Sequence, residues 1–135
     1  ISYDTTRTIT AEQFRDVLVR STLGERRPID DPEALAAMLT HGNLLATAWV
    51  GDLLIGVSRT LTDFAYIGYL SDLAVDTAYQ RHGVGRQLIA VTRARMGPRS
   101  RLLLLAAPAA VGYYPRIGFR EQPHAWIIDQ GAPLR

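Results

Sequence analysis

In residues 1–42, the pattern of apolar and polar positions predicts a short strand and then two amphipathic helices. The strand covers residues 1–4. Thr10, with Gln13 three positions later, has the spacing of a capping box at the start of the first helix. Asp31 before Pro32 marks the start of the second helix, which Gly42 ends. The predicted buried faces are Phe14, Val17 and Leu18 in the first helix and Leu35, Met38 and Leu39 in the second.

Three strands are expected next, at residues 44–50, 53–60 and 66–75. Gly51 and Asp52 suit a two-residue hairpin turn, and residues 61–65 make a second bend, so consecutive strands should be antiparallel. A helix is predicted from Gly83 to about Met96, and the apolar run after it predicts a strand at residues 101–107. Because a helix connects them, this strand should be parallel to the strand that ends at Val75.

The C-terminal part of the chain is predicted to hold a short helix at residues 108–117, closed by Gly118, and a final pair of short strands at residues 119–121 and 125–129. No repeat or linker divides the chain, so residues 1–135 are expected to form one domain. The element order βααβββαβαββ predicts a mixed α/β fold, with a central mixed sheet of about six to seven strands flanked by about four helices.

The composition of the chain excludes several kinds of chemistry. Its 135 residues suffice for one domain with a core. It contains no cysteine, which excludes disulfides, thiolate metal ligands and a cysteine-bound acyl intermediate. His41, His82 and His124 lack metal-ligand spacing, so no metal is expected. No apolar run approaches the ~20 residues of a membrane span and no signal peptide is visible, so a cytoplasmic protein without a membrane partner is expected.

Charge is distributed unevenly along the chain. Residues 1–79 contain six arginines and eleven acids, a net charge of −5, whereas residues 80–135 contain nine arginines and two acids, a net charge of +7. A basic half can indicate nucleic-acid binding, but these arginines are not interleaved with aromatic residues, so no nucleic-acid partner is expected. The split favours an anionic cofactor on the basic half and a cationic acceptor on the acidic half. Scattered surface charge is the alternative.

Residues 80–86, Gln-Arg-His-Gly-Val-Gly-Arg, follow the apolar strand that ends at Val75 and begin the next helix. Gly83 and Gly85 lack a Cβ, so a bulky anion can approach the backbone there. The free N–H groups of a helix's first turn attract a phosphate. A dinucleotide-binding turn would need a glycine where Leu88 stands. A Walker loop would need a lysine, which the chain lacks.

This turn resembles the acyl-CoA signature Gln-Arg-x-Gly-x-Gly of the GNAT superfamily of N-acetyltransferases, and residues 113–119, Tyr-Tyr-Pro-Arg-Ile-Gly-Phe, resemble a second motif of that family. The resemblance implies that acetyl-CoA is the co-substrate. It also implies that the turn binds the pyrophosphate and that the preceding strand binds the pantetheine arm through its backbone. The implied residues are Leu73, Ala74 and Val75 for pantetheine and Gln80, Arg81, His82, Gly83, Val84, Gly85 and Arg86 for the phosphates. For the two arginines and the histidine, a solvated surface position is the alternative.

The resemblance also implies roles in catalysis. Tyr114 takes the position of the general acid that protonates the leaving thiolate, unless it only anchors its helix, and Tyr113 suits a packing or pantetheine contact. Asp72 is a candidate base, directly or through water, or a structural hydrogen-bond acceptor. Two positions depart from the family pattern. Ala107 stands where many members carry an asparagine that contacts pantetheine, and Ser71 stands where some carry a glutamate.

The sequence therefore predicts an N-acetyltransferase that moves acetyl from acetyl-CoA to a primary amine by direct attack, as a monomer or homodimer. The alternative is a CoA-binding sensor or interaction module without catalysis. Glu25, Asp30 and Asp31, between the first two helices, favour a cationic small-molecule acceptor, unless they only cap helices. His124 and Trp126 are candidates for the acceptor pocket, with a core position as the alternative for the tryptophan.

Overall fold

One five-stranded sheet organises the fold. Its strands are β1 (Ser2–Asp4), β2 (Leu44–Val50), β3 (Leu53–Thr62), β4 (Ile67–Val75) and β5 (Arg101–Leu104), and they lie side by side in that order. β1 to β4 pair antiparallel with one another in sequence, and β5 pairs parallel with β4. The parallel pair confirms what the helical connection between these two strands predicted.

Four helices accompany the sheet: α1 (Ala11–Arg20), α2 (Pro32–His41), α3 (Val84–Arg95) and α4 (Tyr113–Arg116). The structure, a computed structural model, describes residues 1–135. They divide into two units, Ile1–Leu105 with the sheet and α1 to α3, and Ala106–Arg135 with α4. None of the helices has the length and apolar character that crossing a membrane requires.

The predicted helix starts are confirmed in atomic detail. The Thr10 hydroxyl accepts the N–H of Gln13 (3.0 Å), and the Gln13 side chain accepts the N–H of Thr10 (2.9 Å). The Asp31 carboxylate accepts the N–H of Ala34 at the start of α2 (3.0 Å). These caps satisfy N–H groups that the first turn of a helix leaves without partners.

Two apolar clusters cover the two faces of the sheet. On one face, side chains of α1 and α2, among them Phe14, Leu18 and Leu35, pack with Trp49. On the other face, α3 contributes Leu88 to a cluster with residues of β2 and β3. Both clusters draw on β2, because successive side chains of a strand point to opposite faces. Each fully buried side chain of this kind stabilises the fold by about 1.5–3 kcal/mol, and together they hold β4 in the middle layer.

β4 is irregular in the part that leads to the predicted phosphate turn. Its register against β3 pairs Thr60 with Leu70 but Arg59 with Asp72, so Ser71 is an extra residue in β4. Such a β-bulge bends the strand and increases its twist. β4 and β5 stop pairing at this point.

The prediction of a final pair of strands at residues 119–121 and 125–129 is wrong. Residues 120–135 form only local turns, with bonds from the N–H of Ala125 to the carbonyl of Gln122 (3.3 Å) and from the N–H of Ala132 to the carbonyl of Asp129 (3.1 Å). The apolar run that begins at Trp126 lacks the alternation of a half-buried strand, and its side chains are exposed.

Two neighbouring elements are also shorter than predicted. β5 ends at Leu104 rather than at residue 107, and the helix predicted at residues 108–117 consists of a 3₁₀ turn, Pro108–Ala110, followed by α4. Pro108 suits the first position of a helix, but Pro115 lacks the N–H that a continuous helix from residue 108 would need in its interior. The mixed α/β class is therefore confirmed, with five strands where six to seven were expected.

Candidate active site

The edge of β4 that faces β5 carries backbone groups without a neighbouring strand. β4 continues to Val75, whereas its last pair with β5 is at Leu70. On the other side, the N–H of Asp76 donates to the carbonyl of Ile55 in β3 (2.8 Å). Backbone groups alternate along an antiparallel strand, so those of Leu73 and Val75 point away from β3. Backbone groups in such a position need partners, and an amide-rich ligand could supply them.

The same alternation separates the three strand residues that were expected to bind a ligand. Ala74 pairs with Val57 of β3 and turns its N–H and C=O toward that strand. The Val75 carbonyl accepts a bond from Nε2 of Gln80 (3.0 Å). The backbone of Leu73 therefore keeps both of its outward groups for a ligand, whereas Val75 keeps its N–H.

The Asp76 side chain holds the turn between β4 and α3. One carboxylate oxygen accepts the N–H of Ala78 (2.9 Å), and the other forms an ion pair with Arg20 of α1. The Asp76 carbonyl accepts the N–H of Tyr79 (2.8 Å). Arg20 also donates to the carbonyl of Leu54 (2.7 Å). The turn is thereby tied both to α1 and to the start of β3.

The N–H groups that follow this turn have no partner in the protein. None of the seven between Gln80 and Arg86 donates a hydrogen bond, and the first backbone bond of α3 runs from Gln87 to the Gly83 carbonyl (3.0 Å). Gly83 has a φ of 76°, where glycine is favoured. Free first-turn N–H groups and the positive end of the helix dipole attract anions. This donor set fits the pyrophosphate that the sequence predicts.

Three side chains around the turn can add positive charge. Arg81, His82 and Arg86 are exposed, and neither arginine forms an ion pair. Nδ1 of His82 lies 3.2 Å from the carbonyl of Tyr79. Val84, in contrast, is buried in the cluster under α3, so it can offer a ligand only its N–H.

Asp72 lies buried between two arginines. One of its carboxylate oxygens accepts Nε of Arg27, and the other accepts Nε of Arg59. Arg27 also donates to the carbonyl of Ser71 (2.8 Å), and Arg59 donates to the Ser71 hydroxyl (2.9 Å) and to the carbonyl of Met38 (3.3 Å). Both oxygens of Asp72 are thus engaged by positive donors, an arrangement that suits a positioning role better than proton transfer.

The second unit contains both predicted tyrosines. Tyr113 and Tyr114 lie in α4, and Tyr114 packs edge-to-face against Tyr113 and Phe119 with ring centroids 5.3 Å apart in each pair. Burial, and secondarily the charge of Tyr113, raises the pKa of Tyr114 above the usual value of a tyrosine. Its hydroxyl therefore keeps its proton at neutral pH. Ala107 directly precedes the 3₁₀ turn, and its methyl side chain cannot cap that turn. Trp126 is exposed rather than part of a core.

Sequence reasoning missed the arginines that organise the site. Arg20 and Arg27 contact acids 56 and 45 positions away, and no local pattern signals such pairs. The only available signal was chemical, because an aspartate inside an apolar strand needs a positive or hydrogen-bonding partner.

Comparison with known proteins identifies the family of this chain. The sequence profile of the acetyltransferase (GNAT) domain matches residues 9–133. Among curated proteins, none matches the sequence significantly.

Several solved structures share the fold. A GNAT-family acetyltransferase from Streptococcus pneumoniae TIGR4 is 21% identical, with a TM-score of 0.71 over 94% of this chain and 97% of that one. A putative acetyltransferase from Deinococcus radiodurans R1 is 22% identical, with a TM-score of 0.75 over 96% and 87%. The aminoglycoside N-acetyltransferase AAC(6')-Iy, solved in complex with CoA, is 18% identical, with a TM-score of 0.70 over 97% and 96%. At these identities the likeness concerns the fold, and the profile match identifies the family. The chain belongs to the GNAT family of acetyltransferases.

Proposed function

We propose that this protein transfers the acetyl group of acetyl-CoA to a primary amine of a small molecule. The observation that carries the proposal is the run of unpartnered N–H groups from Gln80 to Arg86, which directly follows the unpaired edge of β4. A long ligand with amides at one end and phosphates at the other would satisfy both sets of groups. Acetyl-CoA has this chemistry, and when bound it supplies an activated thioester.

In this proposal the backbone does most of the binding. The N–H groups of residues 80–86 hold the pyrophosphate, with Arg81 and Arg86 as additional charged donors. The outward groups of Leu73 and the N–H of Val75 pair with the pantetheine arm. An N–H of this edge also polarises the thioester carbonyl, so that negative charge on its oxygen is stabilised while the acceptor nitrogen attacks.

Tyr114 is the proposed general acid. A thiol has an ordinary pKa of about 8.5, so the departing thiolate gains from a proton or a hydrogen bond. The raised pKa of Tyr114 keeps its hydroxyl protonated and able to donate. Tyr113 is proposed as a packing residue of the same helix.

The contacts of Asp72 favour a different role from the one that the sequence predicts. Its ion pairs with Arg27 and Arg59 favour a residue that fixes the bulge of β4 and the loop at residues 21–31, rather than a base. The acceptor ammonium would then lose its proton to water, before or during binding.

The contacts of the acidic residues weaken the expectation of a cationic acceptor. Asp72 and Asp76 are neutralised by arginines, and Asp31 caps α2. Asp4 and Asp63 accept backbone N–H groups in turns, which lowers the pKa of both carboxyls. Five of the eleven acids in residues 1–79 thus serve the fold, and we propose a primary amine without assigning it a net charge.

A CoA-binding module without catalysis is the second candidate. It is favoured by Ala107, which cannot make the pantetheine contact of an asparagine, and by the engaged carboxylate of Asp72.

Two measurements distinguish these candidates. Calorimetry should show CoA binding, and free thiol should appear when acetyl-CoA is mixed with the enzyme and a panel of primary amines. CoA binding with no thiol release across the panel would favour the module. No CoA binding at all would overturn both.

A further inference from the structure

Arg27, Asp72 and Arg59 form a cluster with more positive than negative charge. Two guanidinium groups share one carboxylate, and no other acid forms an ion pair with either arginine. Asp76, the other buried acid of this region, is paired with Arg20. The cluster therefore carries a formal net charge of +1 at the bulge of β4.

The side chains of the two arginines differ in solvent exposure. The Arg59 side chain is only 8% exposed, whereas that of Arg27 is 23% exposed. Arg27 uses one N–H on each nitrogen, toward Asp72, the Arg26 carbonyl (2.8 Å) and the Ser71 carbonyl (2.8 Å). A guanidinium has five N–H donors, so two donors of Arg27 remain, one on each terminal nitrogen. Neighbouring N–H groups of a guanidinium can bind a carboxylate through two parallel hydrogen bonds.

Arg27 also lies beside the edge where the proposed reaction would take place. Its partner, the Ser71 carbonyl, belongs to the first residue of β4 beyond the last pair with β5. Leu73, whose outward N–H and C=O are available to the acetyl donor, is two residues further along the strand, about 7 Å away. A negative group separated from the acceptor nitrogen by a few bonds could therefore reach Arg27.

We propose that the acceptor is an amine that carries a carboxylate within a few bonds of its nitrogen, as in an amino acid, and that Arg27 binds this carboxylate. The inference rests on the proposed acetyl transfer. Glu25 and Asp30 of the same loop are exposed and pair with neither arginine, so neither carboxylate occupies the remaining donors of Arg27.

Matched acceptors test the proposal. Each of several amino acids is compared with its own carboxamide, which keeps the side chain and the amine but loses the negative charge. For wild type, kcat/KM should favour the carboxylate member by about ten-fold or more, the usual scale for a charge-assisted pair of hydrogen bonds. Arg27→Gln should reduce this ratio by a similar factor. Because one ratio is compared between variants, the different amine pKa values of the two acceptors cancel.

Arg26→Gln is the matched control, since Arg26 is the adjacent exposed arginine and its side chain makes no hydrogen bond or ion pair. It should leave the ratio unchanged. Circular dichroism and CoA affinity verify that Arg27→Gln folds. If it does not, a measurement on wild type replaces it: carboxylic acids that lack the amine should compete with the acceptor, and their carboxamides should not.

The outcomes separate this inference from the proposed function. An unchanged ratio in folded Arg27→Gln, equal inhibition by acids and carboxamides, or a wild-type preference for carboxamides or polyamines would overturn the inference alone. Absence of thiol release with every acceptor would overturn acetyl transfer and the inference together.

Discussion

The hydroxyl of Tyr114 is the single group on which the proposed proton transfer depends. Tyr114→Phe keeps the ring that packs against Tyr113 and Phe119 and removes only the donor. Acetyl-CoA should bind nearly as before, while kcat should fall by about 10- to 1,000-fold, near the usual range for losing a general acid or base. Steady-state kinetics with calorimetry checks both numbers, and unchanged turnover would leave Tyr114 a structural role only.

Activity that depends on the Tyr114 proton should be lost at high pH rather than at low pH. An acid works only while protonated, and burial raises the pKa of Tyr114 above its usual value near 10. Activity that depends on this proton should therefore persist through neutral and mildly alkaline pH and decline only above about pH 10. The alkaline decline should be absent from the residual activity of Tyr114→Phe.

Gly85 tests the phosphate turn more cleanly than Gly83. Any residue at Gly83 must adopt a positive φ, whereas Gly85 lies in the regular first turn of α3, where valine is a better helix former than glycine. Gly85→Val should therefore fold, yet lose about ten-fold or more in CoA affinity, because its side chain obstructs the anion.

Ala90→Val provides the control for this substitution. Ala90 is exposed on the same helix, outside its first turn, so its replacement should leave CoA affinity unchanged. Equal affinities for wild type and folded Gly85→Val, measured by calorimetry, would remove the turn from the proposed site.

Among the elements, α1 supports the proposed phosphate-binding turn through the ion pair between Arg20 and Asp76. Arg20→Gln should loosen the turn in the free protein, so that part of the binding energy is needed to order it. A cost of about 1 kcal/mol would raise the KM for acetyl-CoA about five-fold and leave kcat nearly unchanged. Arg15→Gln, about one and a half turns earlier in α1, should leave the KM for acetyl-CoA unchanged, because Arg15 contacts the Ile29 carbonyl and Asp16 rather than the turn. A KM within error of wild type for Arg20→Gln would mean that Asp76 orders the turn without help from α1.

Elements with local signals were predictable from sequence, and those that depend on distant partners were not. Thr10 with Gln13 and Asp31 with Pro32 fixed two helix starts because a cap and its helix are adjacent in the chain. The residues that resemble the family's turn lie together for the same reason. Arg27 could not be placed beside Asp72, since 45 positions separate them. The strands predicted around Trp126 failed because apolar composition alone does not supply a pairing partner.

At the scale of the whole molecule, the two tryptophans report on different parts of the chain. Trp49 is 1% exposed, under the guanidinium of Arg7 at 3.5 Å, whereas Trp126 is 93% exposed. Iodide or acrylamide should therefore quench one fraction of the tryptophan fluorescence readily and the other hardly at all. Trp126→Phe should remove the quenchable fraction. Two equally protected tryptophans would instead indicate that residues 125–129 are packed.

The unpaired edge of β4 also allows the proposed acetyl-donor site to be detected without an activity assay. Amide hydrogens that donate to a neighbouring strand exchange slowly with deuterium, and those that donate only to water exchange quickly. In the free protein, exchange along β4 should therefore alternate, slow at Asp72 and Ala74 and fast at Leu73 and Val75. Addition of CoA should slow exchange at Leu73 and Val75 and leave exchange at Asp72 and Ala74 unchanged. The alternation of exchange rates along β4 should therefore disappear when CoA binds.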